Sequence, residues 1–97
     1  MTIDEIRGEI DRLDSELLRL FNQRAEFALK IGDLKKGLGL RVYDPAREKK
    51  IFQRMQEENP GPLDNQAIVR LFERVIDESR RLERIMTSKE EAETHGE

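Results

Sequence analysis

The sequence predicts an all-α protein of three helices, a long first helix and two shorter ones, assembled as a homodimer. Three observations carry that expectation. Apolar residues recur at steps of three and four in each of three segments, and no segment alternates with the period of two that marks a strand. Charged residues make up 40% of the chain, yet 26 of its 97 residues are Leu, Ile, Val or Phe, above the roughly 20% below which chains are disordered. Finally, the first helix is too long for the chain to cover by itself.

Helix 1 begins at Thr2, which with Glu5 three residues on fits a capping box. Ile3, Ile6, Ile10, Leu13, Leu17, Leu20, then Phe27, Ile31 and Leu34 form a heptad-like stripe, and Gly37 and Gly39 end it. Some 35 residues at 1.5 Å each give about 50 Å. A compact chain of this size has a radius of gyration of only about 12–13 Å. Two shorter helices cover part of such a stripe, and a second copy of the chain is the simplest cover for the rest. After a loop over 38–43, Asp44 as N-cap and Pro45 at the first helical position start helix 2. It carries Ile51, Phe52 and Met55 and runs to about Asn59, where Pro60-Gly61-Pro62 stops it. Helix 3 starts near Asp64 and carries Ile68, Leu71, Phe72, Val75, Ile76, Leu82 and Met86. From Thr87 the chain is polar, acidic and without periodicity. The expected organisation is therefore one helical domain over 1–87 and a frayed or disordered tail over 88–97.

Composition removes several function classes. There is no Cys, hence no disulfide framework, zinc ribbon or thiol nucleophile. The single His, His95, lies in the polar tail, so neither a His-based triad nor a His metal site is expected. No apolar run approaches the roughly 20 residues of a membrane span, and no signal peptide opens the chain; the expected setting is cytoplasmic. A net charge of −3 and five aromatic residues argue against nucleic acid as a partner.

The informative residues are polar ones standing where apolar ones belong. Arg24 continues the helix 1 stripe in phase, four after Leu20 and three before Phe27. A buried guanidinium needs an anion, either a protein carboxylate or a ligand. Lys35, eleven residues on, shares its face. In helix 2, Asp44, Arg47 and Glu48 extend the stripe of Ile51 and Met55 toward the N-terminus. They read equally as an ordinary charged first turn, where the dipole favours Glu48. In helix 3, Ser79 interrupts the steps from Phe72 through Val75 to Leu82 and Met86, and Glu83 lies on the flank; a small packing residue and a solvated acid are the simpler alternatives. Arg7 lies about 25 Å from Arg24 along the axis and reaches the same site only from the other subunit of an antiparallel pair. Together these residues outline a cationic pocket suited to a small dicarboxylate. It has no nucleophile–base pair, metal-ligand cluster or Gly-rich phosphate loop, so any chemistry there rests on positioning and electrostatics.

The stretches IRGEIDRLDSELLRLFNQRAEFALKIGDLK, YDPAREKKIFQRM and PLDNQAIVRLFERVIDESRRLE resemble the all-α (AroQ class) chorismate mutases, from about Ile3 to Ile85. The resemblance implies an intertwined homodimer with two sites, no cofactor, and conversion of chorismate to prephenate by a [3,3] Claisen rearrangement on the way to phenylalanine and tyrosine. By position, Arg7 resembles the Arg supplied by the partner and Arg24 the Arg from the same chain, each on a substrate carboxylate. Lys35 resembles the donor to the ether oxygen and a carboxylate. Asp44 and Glu48 match positions that hold the substrate hydroxyl, Arg47 supports the site, and Ser79 matches a carboxylate contact. Glu83 stands where the family carries Gln or Glu. It must donate to the ether oxygen, which an ionised carboxylate cannot do, so it is expected to work protonated. Two alternatives stand beside this reading: an isochorismate-pyruvate lyase, separated by a product assay, and a non-catalytic helical dimer or regulatory module, disfavoured because Arg7, Arg24, Lys35 and Arg47 are all present.

Overall fold

The computed structural model describes the backbone of residues 1–95 and the side chains of residues 1–89. Its first helix, α1 (Ile3–Gly37), opens on Thr2, whose hydroxyl accepts from Glu5 N at 3.1 Å. Asp4 and Glu5 lie in the first turn and Lys35 and Lys36 in the last, the order that the helix dipole favours. At the far end Leu40 N donates to Lys35 O at 2.8 Å and Gly39 N to Lys36 O at 3.1 Å. Gly39 takes the left-handed φ of +70° that this closure requires. Gly37 is still helical, so of the two glycines Gly39 makes the turn.

The second helix, α2 (Pro45–Glu58), is capped by Asp44, whose Oδ1 accepts from Arg47 N at 3.0 Å. Beyond it Asn59 organises the turn around Pro60-Gly61-Pro62. Its side-chain amide donates to Leu63 O and to Asn65 Oδ1, both at 2.8 Å, and its Oδ1 accepts from Gly61 N at 3.0 Å. Asp64 Oδ1 then accepts from Ala67 N at 2.7 Å and starts α3 (Asn65–His95).

The helix does not stop near Thr87 as the loss of apolar periodicity suggested: its backbone continues to His95, while residues 96 and 97 lie outside the described residues. The run from Ser88 to His95 contains Lys, Glu and Ala, good helix formers. Adding residues to an existing helix avoids the nucleation cost.

Helix α3 packs against both α1 and α2, and those two helices do not pack on each other among the described residues. The core is thin: Ile51 of α2 meets the line of Ile76 and Ser79 on α3, the three buried residues of the described chain. The chain measures 61 × 30 × 16 Å with a radius of gyration of 17.4 Å, well above the roughly 12–13 Å of a compact chain. Two long helices, α1 of 35 residues and α3 of 31, stretch the chain. Every residue before Arg24 is exposed, and the first half-buried side chains of α1 are Arg24 and Ala25.

The packed face of α1 is not its apolar stripe. The half-buried positions are Arg24, Ala25, Ala28, Leu29, Gly32 and Lys35, while Phe27, Ile31 and Leu34 stay exposed. Small residues let α3 come close. A Cβ placed on Gly32 would lie 3.6 Å from Glu83 Cδ, so the Glu83 side chain rests on the α1 backbone.

Candidate active site

A cleft of about 280 Å³ opens where the second half of α1, the start of α2 and the middle of α3 converge. Three helical spacings fill it. Arg24 and Lys35 are eleven residues apart on α1, close to three full turns. Asp44, Arg47 and Glu48 occupy the N-cap and first turn of α2. Ser79 and Glu83 are four apart on α3. All seven line the cleft, so the structure gathers every site residue expected from the sequence except Arg7. That residue remains on the exposed first half of α1, seventeen residues and about 25 Å from Arg24.

The charges are arranged unevenly. Asp44 joins two elements: while Oδ1 caps α2, Oδ2 lies 3.8 Å from Lys35 Nζ. Glu48, with only 15% of its side chain exposed, pairs with Arg80 Nη2 at 2.7 Å. Arg24 and Arg47 have no carboxylate at ion-pair distance among the described residues. Burial, then the charges of Arg47 and Arg54, push the Arg24 guanidinium below its ordinary value, though an arginine stays protonated. The structural ion pair that would have explained a polar residue on the stripe is therefore not formed, and the cleft holds cations that repel one another. Such a site favours an anion.

Ser79, 9% exposed, lines the cleft and donates its hydroxyl to Val75 O at 3.1 Å, a bond within its own helix that the hydroxyl exchanges when it donates to a ligand instead. Glu83 is the unsatisfied group: its Oε2 is buried without a hydrogen-bond partner. Burial raises its pKa above the ordinary 4.5, and the charges of Lys35 and Arg80 oppose the rise. Burial is the largest of these influences, and a protonated Glu83 presents a donor.

Two cleft residues were not anticipated. Arg80 contacts Glu48 and also donates to Asp77 Oδ1 at 2.8 Å, and its guanidinium lies 4.9 Å from the ring centre of Tyr43. Tyr43, in the loop before α2, lines the cleft beside it. The available signal was Glu48 itself: a carboxylate on an inward face requires a cation, and its donor lies on a different helix. Among the described residues no group of three His, Asp or Glu is placed to hold a metal ion.

Fold and site together define an all-helical protein with a cation-lined cleft. The chorismate mutase type II family profile matches residues 6–84, and the chain belongs to that family. It is 46% identical over 90 residues to the bifunctional chorismate mutase/prephenate dehydratase of Neisseria gonorrhoeae, covering 89% of this chain and 24% of that protein. The chain thus spans about a quarter of the length of the bifunctional relatives it matches. Among solved structures, chorismate mutase (form II) from Thermus thermophilus superimposes with a TM-score of 0.83 at 39% identity, covering 84% of this chain and 93% of that one. Chorismate mutase from Helicobacter pylori in complex with prephenate gives 0.81 at 30% identity, with 89% and 93% covered.

Proposed function

We propose that this chain is a chorismate mutase, converting chorismate to prephenate, and that it works as a homodimer in which each cleft is completed by Arg7 of the partner subunit. The observation that carries the reading is the pair of arginines, Arg24 and Arg47, standing without carboxylate partners in a cleft that also holds Lys35.

The reaction is unimolecular, so the protein needs no base, nucleophile or cofactor. It must fold a flexible dianion into its compact conformer and stabilise the charge that grows on the ether oxygen as the C–O bond breaks. Arg24 binds one carboxylate, Lys35 donates to the ether oxygen and a carboxylate, and Ser79 contacts a carboxylate. Glu48, with Asp44 beside it, accepts from the substrate hydroxyl. Protonated Glu83 supplies the second donor to the ether oxygen. These groups are gathered on three packed helices before the substrate arrives, which limits the reorganisation that accompanies the transition state.

The dimer follows from the uncovered half of α1. Its stripe residues Ile3, Ile6, Ile10, Leu13, Leu17 and Leu20 are 44–68% exposed. A continuous apolar face of this kind marks an interface. A second α1 running antiparallel covers it and carries the partner's N-terminal turns toward this chain's cleft.

The test is to mix purified protein with chorismate, follow the loss of its ultraviolet absorbance and identify the product. Prephenate from the wild type and none from Arg24→Ala is expected. A folded wild-type protein that leaves chorismate unchanged would overturn the proposal.

A further inference from the structure

We infer that Arg80 is a positioning residue that fixes the Glu48 carboxylate for the substrate hydroxyl and keeps it away from the ligand-binding arginines. The inference rests on the reading of the cleft given above.

Glu48 is nearly enclosed, and a carboxylate in that position must have a counter-charge. Arg24, Lys35, Arg47 and Arg80 line the same cleft. The structure gives Glu48 to Arg80, at 2.7 Å, and leaves Arg24 and Arg47 without carboxylates. Were Glu48 to turn to either of those, it would neutralise a charge that the substrate needs. The choice of partner thus decides how much positive charge remains for the ligand.

Arg80 is itself held in place. The same Nη2 donates to Asp77 Oδ1 at 2.8 Å, one turn back on α3, and the guanidinium lies over the Tyr43 ring at 4.9 Å. One contact comes from its own helix, one from α2 and one from the loop between α1 and α2. The two carboxylates meet at Nη2 and the Tyr43 ring lies against the guanidinium, so the group is held from three elements. A lysine keeps the charge but neither stacks as a plane nor offers a fork of donors.

Arg80 has no substrate contact in this scheme and acts through Glu48. A hydrogen bond to the substrate hydroxyl is present in ground and transition states alike, so its weakening raises KM more than it lowers kcat. Arg80→Gln is expected to raise KM for chorismate about tenfold, the size of one charge-assisted contact at a half-open site, with kcat within about twofold. Arg80→Lys is expected to recover part of the loss. In the double variant, Arg80→Gln added to Glu48→Gln is expected to change KM by less than about twofold, because the group it positions has lost its charge.

Asp77 is 60% exposed, so Asp77→Asn perturbs Arg80 with little risk to folding; a KM rise of about two- to threefold is expected from it. It keeps the inference testable if Arg80→Gln does not fold. The inference is overturned if KM in Arg80→Gln, or in Asp77→Asn where that variant stands in, matches the wild type. It is also overturned if the two losses multiply independently in the double variant, or if kcat and thermal stability fall together without recovery in Arg80→Lys. A wild-type protein without chorismate turnover overturns the proposed function and this inference with it. Turnover by the wild type with an unchanged KM in Arg80→Gln overturns the inference alone.

Discussion

The two halves of α1 belong to one unbroken helix and put different residues to use. Up to Gln23 the helix carries Ile and Leu at heptad spacing, and every one of those residues is exposed. From Arg24 the helix carries Ala25, Ala28 and Gly32 on the face that meets α3, with Arg24 and Lys35 turned into the cleft. The apolar half thus lacks a partner within the chain, and the half that has one uses small residues for contact and turns cations into the cleft. In the proposed dimer the large apolar side chains of the first half of α1 mark the seat of the second chain; the polar gap in the stripe marks where the chain closes on itself around a cleft.

This contrast can be broken at either half. The largest effect is expected from Arg24→Ala in the second half: a loss in kcat/KM on the order of 10²–10³-fold with helix content unchanged by circular dichroism, since no protein carboxylate loses its partner. In the first half, Leu13→Glu places a charge on the uncovered stripe. A shift from dimer to monomer by light scattering is expected, with activity falling along with the dimer because Arg7 no longer reaches a cleft. If that variant stays fully active as a monomer, the two halves do not cooperate across subunits.

A smaller effect concerns pH. Glu83 donates only when protonated, and burial raises its pKa, so wild-type activity falls as pH rises through that value. Glu83→Gln donates at every pH and is expected to flatten the profile while keeping activity near neutrality; loss of activity at all pH values would contradict the role. The same shift bears on stability. The native state holds this proton more tightly than the unfolded chain, so the contribution of Glu83 is present in acid and lost as pH rises from the unfolded value through the raised folded one. Replacing Glu83 by Gln removes that slope from a denaturation series. The smallest effect is expected at the tip of α1, where Thr2→Ala removes one cap and about 1 kcal/mol of stability, read as a lower melting temperature with kcat/KM unchanged.

What the sequence made legible follows the same division. Helix starts were readable because Thr2, Asp44 and Asp64 each cap with their own side chain, a local interaction with a local signature. The cationic cleft was readable because Arg24, Lys35, Arg47 and Glu83 sit at helical spacing on apolar faces. The packed face of α1 was not, because Ala25, Ala28 and Gly32 carry little apolar signal and matter through their lack of bulk. Arg80 was missed for a related reason. Its partners come from α2 and the loop before it, and nothing in the spacing along α3 announces a contact with Glu48. The backbone helix beyond Thr87 was not legible because periodicity reports a buried face and says nothing about how far helix formers extend a helix.

Subunit complementation asks whether each cleft is built by two chains, as proposed. Arg7→Ala and Arg24→Ala, each inactive alone, are unfolded together, refolded as an equal mixture and assayed with chorismate. In a mixed dimer one cleft combines intact Arg24 of one chain with intact Arg7 of its partner, and the other cleft has lost both. Random pairing makes half the dimers mixed, with one working site in two. About a quarter of wild-type activity is therefore expected in the mixture. Activity no greater than the sum of the two parents, with mixed dimers shown to form, would contradict it.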